Sequence, residues 1–102
     1  MSADSDQIQK SISLAKSTAE TLSLSYSTKF NEDDRVHYIW LESELFYCEI
    51  FIFPDSGFVD FSILKGVEQL EPDRPFEKSW TLFEQTSAVM NFLERAVTEN
   101  QV

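Results

Sequence analysis

LFYCEIFIF, Leu45 to Phe53, decides how the rest of the chain is read. A strand in a small antiparallel sheet normally alternates apolar and polar residues, since one face meets the core and the other meets water. Glu49 alone interrupts this run of nine, so both faces of the strand need a cover. In a chain of 102 residues there is room for one domain and one core, and residues 1 to 102 are read as a single domain.

The pattern on either side of this run defines the elements. Upstream, Ile8, Ile12, Ala15, Ala19 and Leu22 recur at helical spacing, with Lys10, Ser13, Lys16, Ser17 and Glu20 turned away, so a helix is expected from Asp4 to Leu22. Asp4 followed by Gln7 reads as its capping box. From Leu24 the period drops to two: Leu24, Tyr26, Thr28 and Phe30 alternate with Ser25, Ser27 and Lys29. After the loop NEDDR come VHYIWL, LFYCEIFIF and GFVDFSIL, separated by ESE and PDSG, which reads as a four-stranded antiparallel meander. Residues 65 to 79, with Gly66, Pro72 and Pro75, read as an irregular crossing segment. Thr81 and Glu84 then form a second capping box. Leu82, Thr86, Val89, Leu93 and Ala96, joined by Phe83, Met90 and Val97, make one face of a C-terminal helix running to about Glu99. The expected fold is α+β: a two-layer sandwich with both helices on one face of the sheet.

Loop lengths then propose which side chains share a face, because opposed residues of an antiparallel pair point the same way. A four-residue PDSG loop sets Phe53 against Phe58 and Cys48 against Ile63. A three-residue ESE loop sets Leu41 against Leu45 and Tyr38 against Cys48, and a five-residue NEDDR loop adds Tyr26 and Phe30 to the same side. On these registers Val36, Tyr38 and Trp40 face the helices. The opposite face then carries His37, Ile39, Leu41, Leu45, Tyr47, Glu49, Phe51, Phe53, Phe58, Asp60, Ser62 and Leu64, a mixture too apolar for an ordinary solvent face. Three covers are weighed: another molecule, the 65 to 79 segment through Val67, Leu70 and Phe76, or helices on opposite faces.

Charge narrows the partner. Eight Lys plus Arg against eighteen Asp plus Glu give a net charge of -10 and a pI near 4.3. No basic stripe is present to neutralise phosphates, so neither nucleic acid nor an anionic membrane surface is an expected partner. The opening MSADSDQIQK lacks the basic end and apolar stretch of a secretory signal, and no apolar run approaches the roughly 20 residues of a membrane span, so a cytoplasmic location is expected. The single Cys48 agrees with that compartment and reads as a buried, inert thiol.

No chemical signature emerges. His37, the only histidine, is expected opposite Glu49, which reads as a structural cross-strand pair because no further group completes a catalytic set. One Cys and one His do not make a zinc cage. Glu32, Asp33 and Asp34 lack the spacing of a calcium loop, and the acid-x-Lys that should follow Pro54-Asp55 in a metal-dependent nuclease is absent. Neither glycine opens a phosphate loop. No enzyme activity, cofactor or metal is expected.

The remaining signal is a greasy, acidic surface, which suits a basic protein partner through steering and charge complementarity. The expected contact set is His37, Ile39, Tyr47, Glu49, Phe51, Phe53, Phe58 and Asp60. In size, acidity and lack of catalytic residues the chain resembles bacterial immunity or inhibitor proteins that neutralise nuclease toxins, a likeness of overall character. That resemblance implies an inhibitor or antitoxin of a basic target. Small acidic secretion-type chaperones are similar too, and imply a homodimer through the sheet that holds extended segments; a structural subunit of a larger complex is the third alternative.

Overall fold

The computed structural model describes residues 2–72 and 79–100; side chains are described from Ser5 to Glu99 within those ranges. Two helices, α1 (Ser2–Leu22) and α2 (Leu82–Asn100), flank a sheet of β1 (Ser25–Asn31), β2 (Val36–Glu42), β3 (Phe46–Phe53), β4 (Phe58–Lys65) and β5 (Glu68–Leu70) in chain order. All neighbours are antiparallel. The α+β architecture expected from the sequence is present, with five strands rather than four.

The helices form where the periodicity places them, and each end has a chemical cause. α1 starts at Ser2, so Asp4 lies inside it. Gln7 does not close a capping box there: its Oε1 accepts the backbone N–H of Phe83 at 3.1 Å, and so one helix caps the first turn of the other. The second box forms as read, with Glu84 N–H on Thr81 Oγ1 at 3.0 Å and Thr81 N–H on Glu84 Oε1 at 2.9 Å. At its far end α1 stops in a left-handed Ser23 (φ 59°), with Leu24 N–H reaching back to Ala19 O and Ser23 N–H to Glu20 O. This is the Schellman closure, built on serine where glycine is usual, and it folds buried Leu24 back under the helix.

One core lies between the helix layer and one face of the sheet. Ile8, Ala15 and Ala19 of α1 and Leu82, Val89, Met90, Leu93 and Val97 of α2 meet Ile39, Leu41, Phe46, Cys48, Ile50, Ile52, Val59 and Ile63. Ser11 and Thr86 are buried with them and donate to carbonyls one turn back, so neither hydroxyl is left unpaired.

Hairpin geometry decides which residues of each strand face that core. PDSG is a four-residue turn as expected, with Phe53 opposite Phe58, Cys48 opposite Ile63 and left-handed Gly57 (φ 65°) closing it. The β2–β3 register differs. Glu42 pairs with Tyr47, and Ser43 N–H bonds Phe46 O at 2.8 Å, which leaves Glu44 and Leu45 as the turn. Ser43 Oγ accepts Phe46 N–H at 3.1 Å and stabilises this tighter closure. Relative to a three-residue ESE loop the pairing moves by three residues. An odd shift turns every β2 side chain to the other face. His37, Ile39 and Leu41 therefore face the helices, and Val36, Tyr38 and Trp40 face away.

A second odd shift follows at β1–β2. Asn31 pairs with Val36, since Asn31 Oδ1 takes the N–H groups of Asp33 and Asp34 and draws Asn31 into a four-residue turn. Tyr26 and Phe30 consequently stay on the helix side, as expected. At the other edge Gly66 (φ 64°) and Val67 make a two-residue turn into β5. The 65 to 79 segment does not cross the outer face in its described part. Leu70 pairs with Ile63 and packs on the helix-side core, and Val67 stands fully exposed at the turn. Phe76 lies outside the described residues.

Candidate functional site: the outer face of the sheet

The outer face is reached by alternation from four strands. Tyr38 and Trp40 stand on β2, Tyr47, Glu49, Phe51 and Phe53 on β3, Phe58, Asp60, Ser62 and Leu64 on β4, and Lys29 on β1. Cross-strand neighbours define rows. One runs Lys29, Tyr38, Phe51, Asp60; the next runs Ser27, Trp40, Glu49, Ser62. Aromatic rings and carboxylates are thus interleaved at strand spacing rather than segregated.

The rings pack against one another. Tyr38 stacks parallel to Trp40 with centroids 5.8 Å apart and meets Phe51 edge-on at 5.2 Å, while Phe53 and Phe58 stack at 6.2 Å. Such pairs contribute about 0.5–1.5 kcal/mol each beyond the area they bury. Tyr38, Trp40, Tyr47, Phe51 and Phe53 are half-buried, and Phe58 is 49% exposed. Among the described residues neither helix lies over this face, because the core residues of both helices pack on the opposite side.

Polar groups are placed within the aromatic surface. Tyr47 Oη donates to Glu49 Oε2 at 3.2 Å. Burial pushes the Tyr47 hydroxyl above its ordinary range, the nearby Glu49 and Glu42 carboxylates add to that, and a hydrogen bond with Trp40 works against it. Tyr47 is therefore a neutral donor at physiological pH, and Glu49 keeps acceptor capacity toward solvent. The charged residues of the face are Glu42, Glu49 and Asp60 against Lys29, so its balance is acidic.

Of the residues expected to share a contact surface, the structure brings together Tyr47, Glu49, Phe51, Phe53, Phe58 and Asp60. His37 and Ile39 are a correction: both lie on the helix side, and Ile39 is fully buried. His37 pairs with Ile52 rather than Glu49 and meets Phe30 with the rings tilted by 36° and their centroids 4.4 Å apart; burial lowers its basicity. The expected His37–Glu49 pair is replaced by Trp40 opposite Glu49. Tyr38 and Trp40 join the face instead, placed there by the two-residue Glu44–Leu45 turn, which no signal in the sequence marks.

Elsewhere the chemistry is sparse. Cys48 is fully buried, and burial first, then Glu49, pushes its thiol up to about 12, which makes it inert as a nucleophile. No three His, Cys, Asp or Glu side chains converge on a metal position among the described residues. No helix among them is long and apolar enough to cross a membrane. A groove of about 850 Å³ runs between β5 and α2, lined by Lys65 and Arg95 but also by Glu68, Glu71 and Glu99, so cations and anions offset each other there. Comparison of the chain with protein-family models, with curated proteins and with solved structures finds no match.

Proposed function

We propose that the chain is a protein-binding module that docks a basic partner on the outer face of its sheet. One observation carries the reading: Tyr38, Trp40, Tyr47, Phe51, Phe53 and Phe58 share a face to which neither helix contributes a core residue, with Glu49 and Asp60 set among them. Aromatic side chains that are already ordered lose little entropy on binding and supply the area that anchors an interface. Interleaved carboxylates select a partner carrying Lys or Arg and orient it, and the net charge of -10 speeds the encounter. An inhibitor or immunity-type protein that neutralises a basic target, such as a nuclease, fits this combination. The work of such a protein is steric and electrostatic blocking, so on this reading the chain is not an enzyme.

The test is a photo-crosslinking residue placed at Phe51, compared with one at Glu94 on the exposed side of α2, in source cells. The expected result is one discrete adduct with a basic protein from position 51 and none from position 94, lost when Asp60→Lys is added. Adducts from position 94 alone, or no adduct from either, overturn the reading; an adduct of position 51 with a second copy of this chain replaces it with a face-to-face homodimer.

A further inference from the structure

The two edges of the sheet are unlike. β5 is three residues long and carries Glu68. β1 is seven residues long, pairs with β2 without a bulge through its whole length and contains no proline, so its outer side presents a straight row of backbone N–H and C=O groups. The helix layer leaves it open, since Thr28 and Phe30 are exposed although they point to the helix side. Phe30, at 45% exposure, is one of the few large apolar side chains of the described residues left in water.

Charge chooses the occupant. Among the described elements β1 alone has no Asp or Glu; its only charged residue is Lys29, in a chain of net charge -10. Of the two edges, β5 brings Glu68 to a contact with a second copy, whereas β1 brings no carboxylate of its own, those of Glu32, Asp33 and Asp34 lying beyond its end. In an antiparallel pair of identical strands a single register engages all seven residues, the one centred on Thr28. There Ser25 meets the partner's Asn31, Tyr26 the partner's Phe30 and Ser27 the partner's Lys29. Each exposed Phe30 gains an aromatic cross-strand partner.

We propose that β1 is a self-association edge, at which a second copy of this chain pairs antiparallel about Thr28 to give one continuous ten-stranded sheet. Both outer faces remain free on the same side, so the pair presents the aromatic surface twice. This inference does not depend on the docking role of that surface. A single strand pair is smaller than a standard protein interface, so the dimer is reversible. The two Lys29 ammonium groups lie diagonally across the axis, and the chains repel overall, so added salt strengthens it.

The experiment combines solution mass with thiol crosslinking. The native chain is followed by sedimentation from micromolar to millimolar concentration, where the mass is expected to rise toward two chains, more steeply in salt. Thr28→Lys, which sets two like charges across the axis, is expected to hold the mass at one chain with an unchanged far-UV spectrum. Thr28→Cys places two thiol-bearing Cβ atoms about 4.5–5.5 Å apart across the axis, within reach of a short bis-maleimide. Ser25→Cys, displaced by six residues, places them about 20 Å apart. Fast coupling at 28 and none at 25 supports the register, and fully buried Cys48 does not compete. A mass of one chain at every concentration, or equal coupling at both positions, overturns the proposal.

Discussion

Leu41 lies directly across from Cys48 in the β2–β3 ladder, and both side chains are completely buried beneath the helices. This one pairing fixes the face of every residue in β2. Ile39 falls opposite Ile50 in the core, while Tyr38 falls opposite Phe51 on the open side.

The pairing predicts a contrast in stability. Leu41→Ala removes a side chain with no access to water and is expected to cost about 3 kcal/mol, within the range for such truncations in a packed core. Phe51→Ala loses a half-exposed ring and its edge contact with Tyr38, for which roughly 1 kcal/mol is expected. Urea unfolding of the two variants measures both. A nearly neutral Leu41→Ala would show that this side chain faces water.

Gln85 ties the β3–β4 hairpin to α2. Its Oε1 accepts Val59 N–H at 2.9 Å, and its Nε2 donates to Gly57 O at 2.9 Å and Trp80 O at 3.1 Å. The side chain is buried, so replacing it strands the Val59 N–H away from water. Gln85→Leu is expected to destabilise by about 2 kcal/mol, the cost of an orphaned buried donor together with the lost bonds. Amide exchange at Val59 should rise in the variant by more than the global loss of stability explains.

His37 gives the fold a dependence on mild acid. Burial beside Phe30 lowers its folded pKa below the unfolded value, so the unfolded state binds the proton more readily. Its contribution is therefore fully present above the unfolded pKa, near 6.5, and is lost as pH falls from there through the folded pKa. His37→Gln should flatten the stability profile in that window while leaving the profile above neutral pH unchanged. Thermal midpoints measured across the range distinguish the two, and a slope that persists in the variant assigns the dependence to other groups.

Much of this architecture was legible because apolar spacing is a strong signal. Ile8 through Leu22 and Leu82 through Val97 declare their helices, and LFYCEIFIF declares a strand with both faces apolar. PDSG was legible too, since Pro54, Asp55 and Gly57 are residues that a four-residue turn favours. What failed was chemistry at the strand ends. Glu42 looks like a loop residue, yet it stays in the ladder, Ser43 closes the hairpin on Phe46 O, and apolar Leu45 takes the turn; nothing in composition marks that choice. Asn31 looked like loop and belongs to β1. The two odd shifts cancel at β1, which is why Tyr26 and Phe30 were placed rightly while all of β2 was inverted. Six of the eight expected contact residues lie together because they come from β3 and β4, whose turn was read correctly. His37 and Ile39 fell out, and Tyr38 and Trp40 took their place. β5 was missed because a Gly66–Val67 turn followed by three residues is shorter than any pattern that periodicity can detect.

Hydroxyl-radical footprinting, read out at each aromatic residue, distinguishes an outer face that is open in the free chain and covered by a partner at work from one that stays bare. The purified chain is compared with the same chain in extract of its source cells. Trp40, Tyr47, Phe51 and Phe58 are expected to oxidise readily in the purified chain and to become protected in extract, with helix-side Phe61 and Phe92 unchanged between the two. Equal oxidation of the outer-face rings in both samples would contradict a partner-covered face.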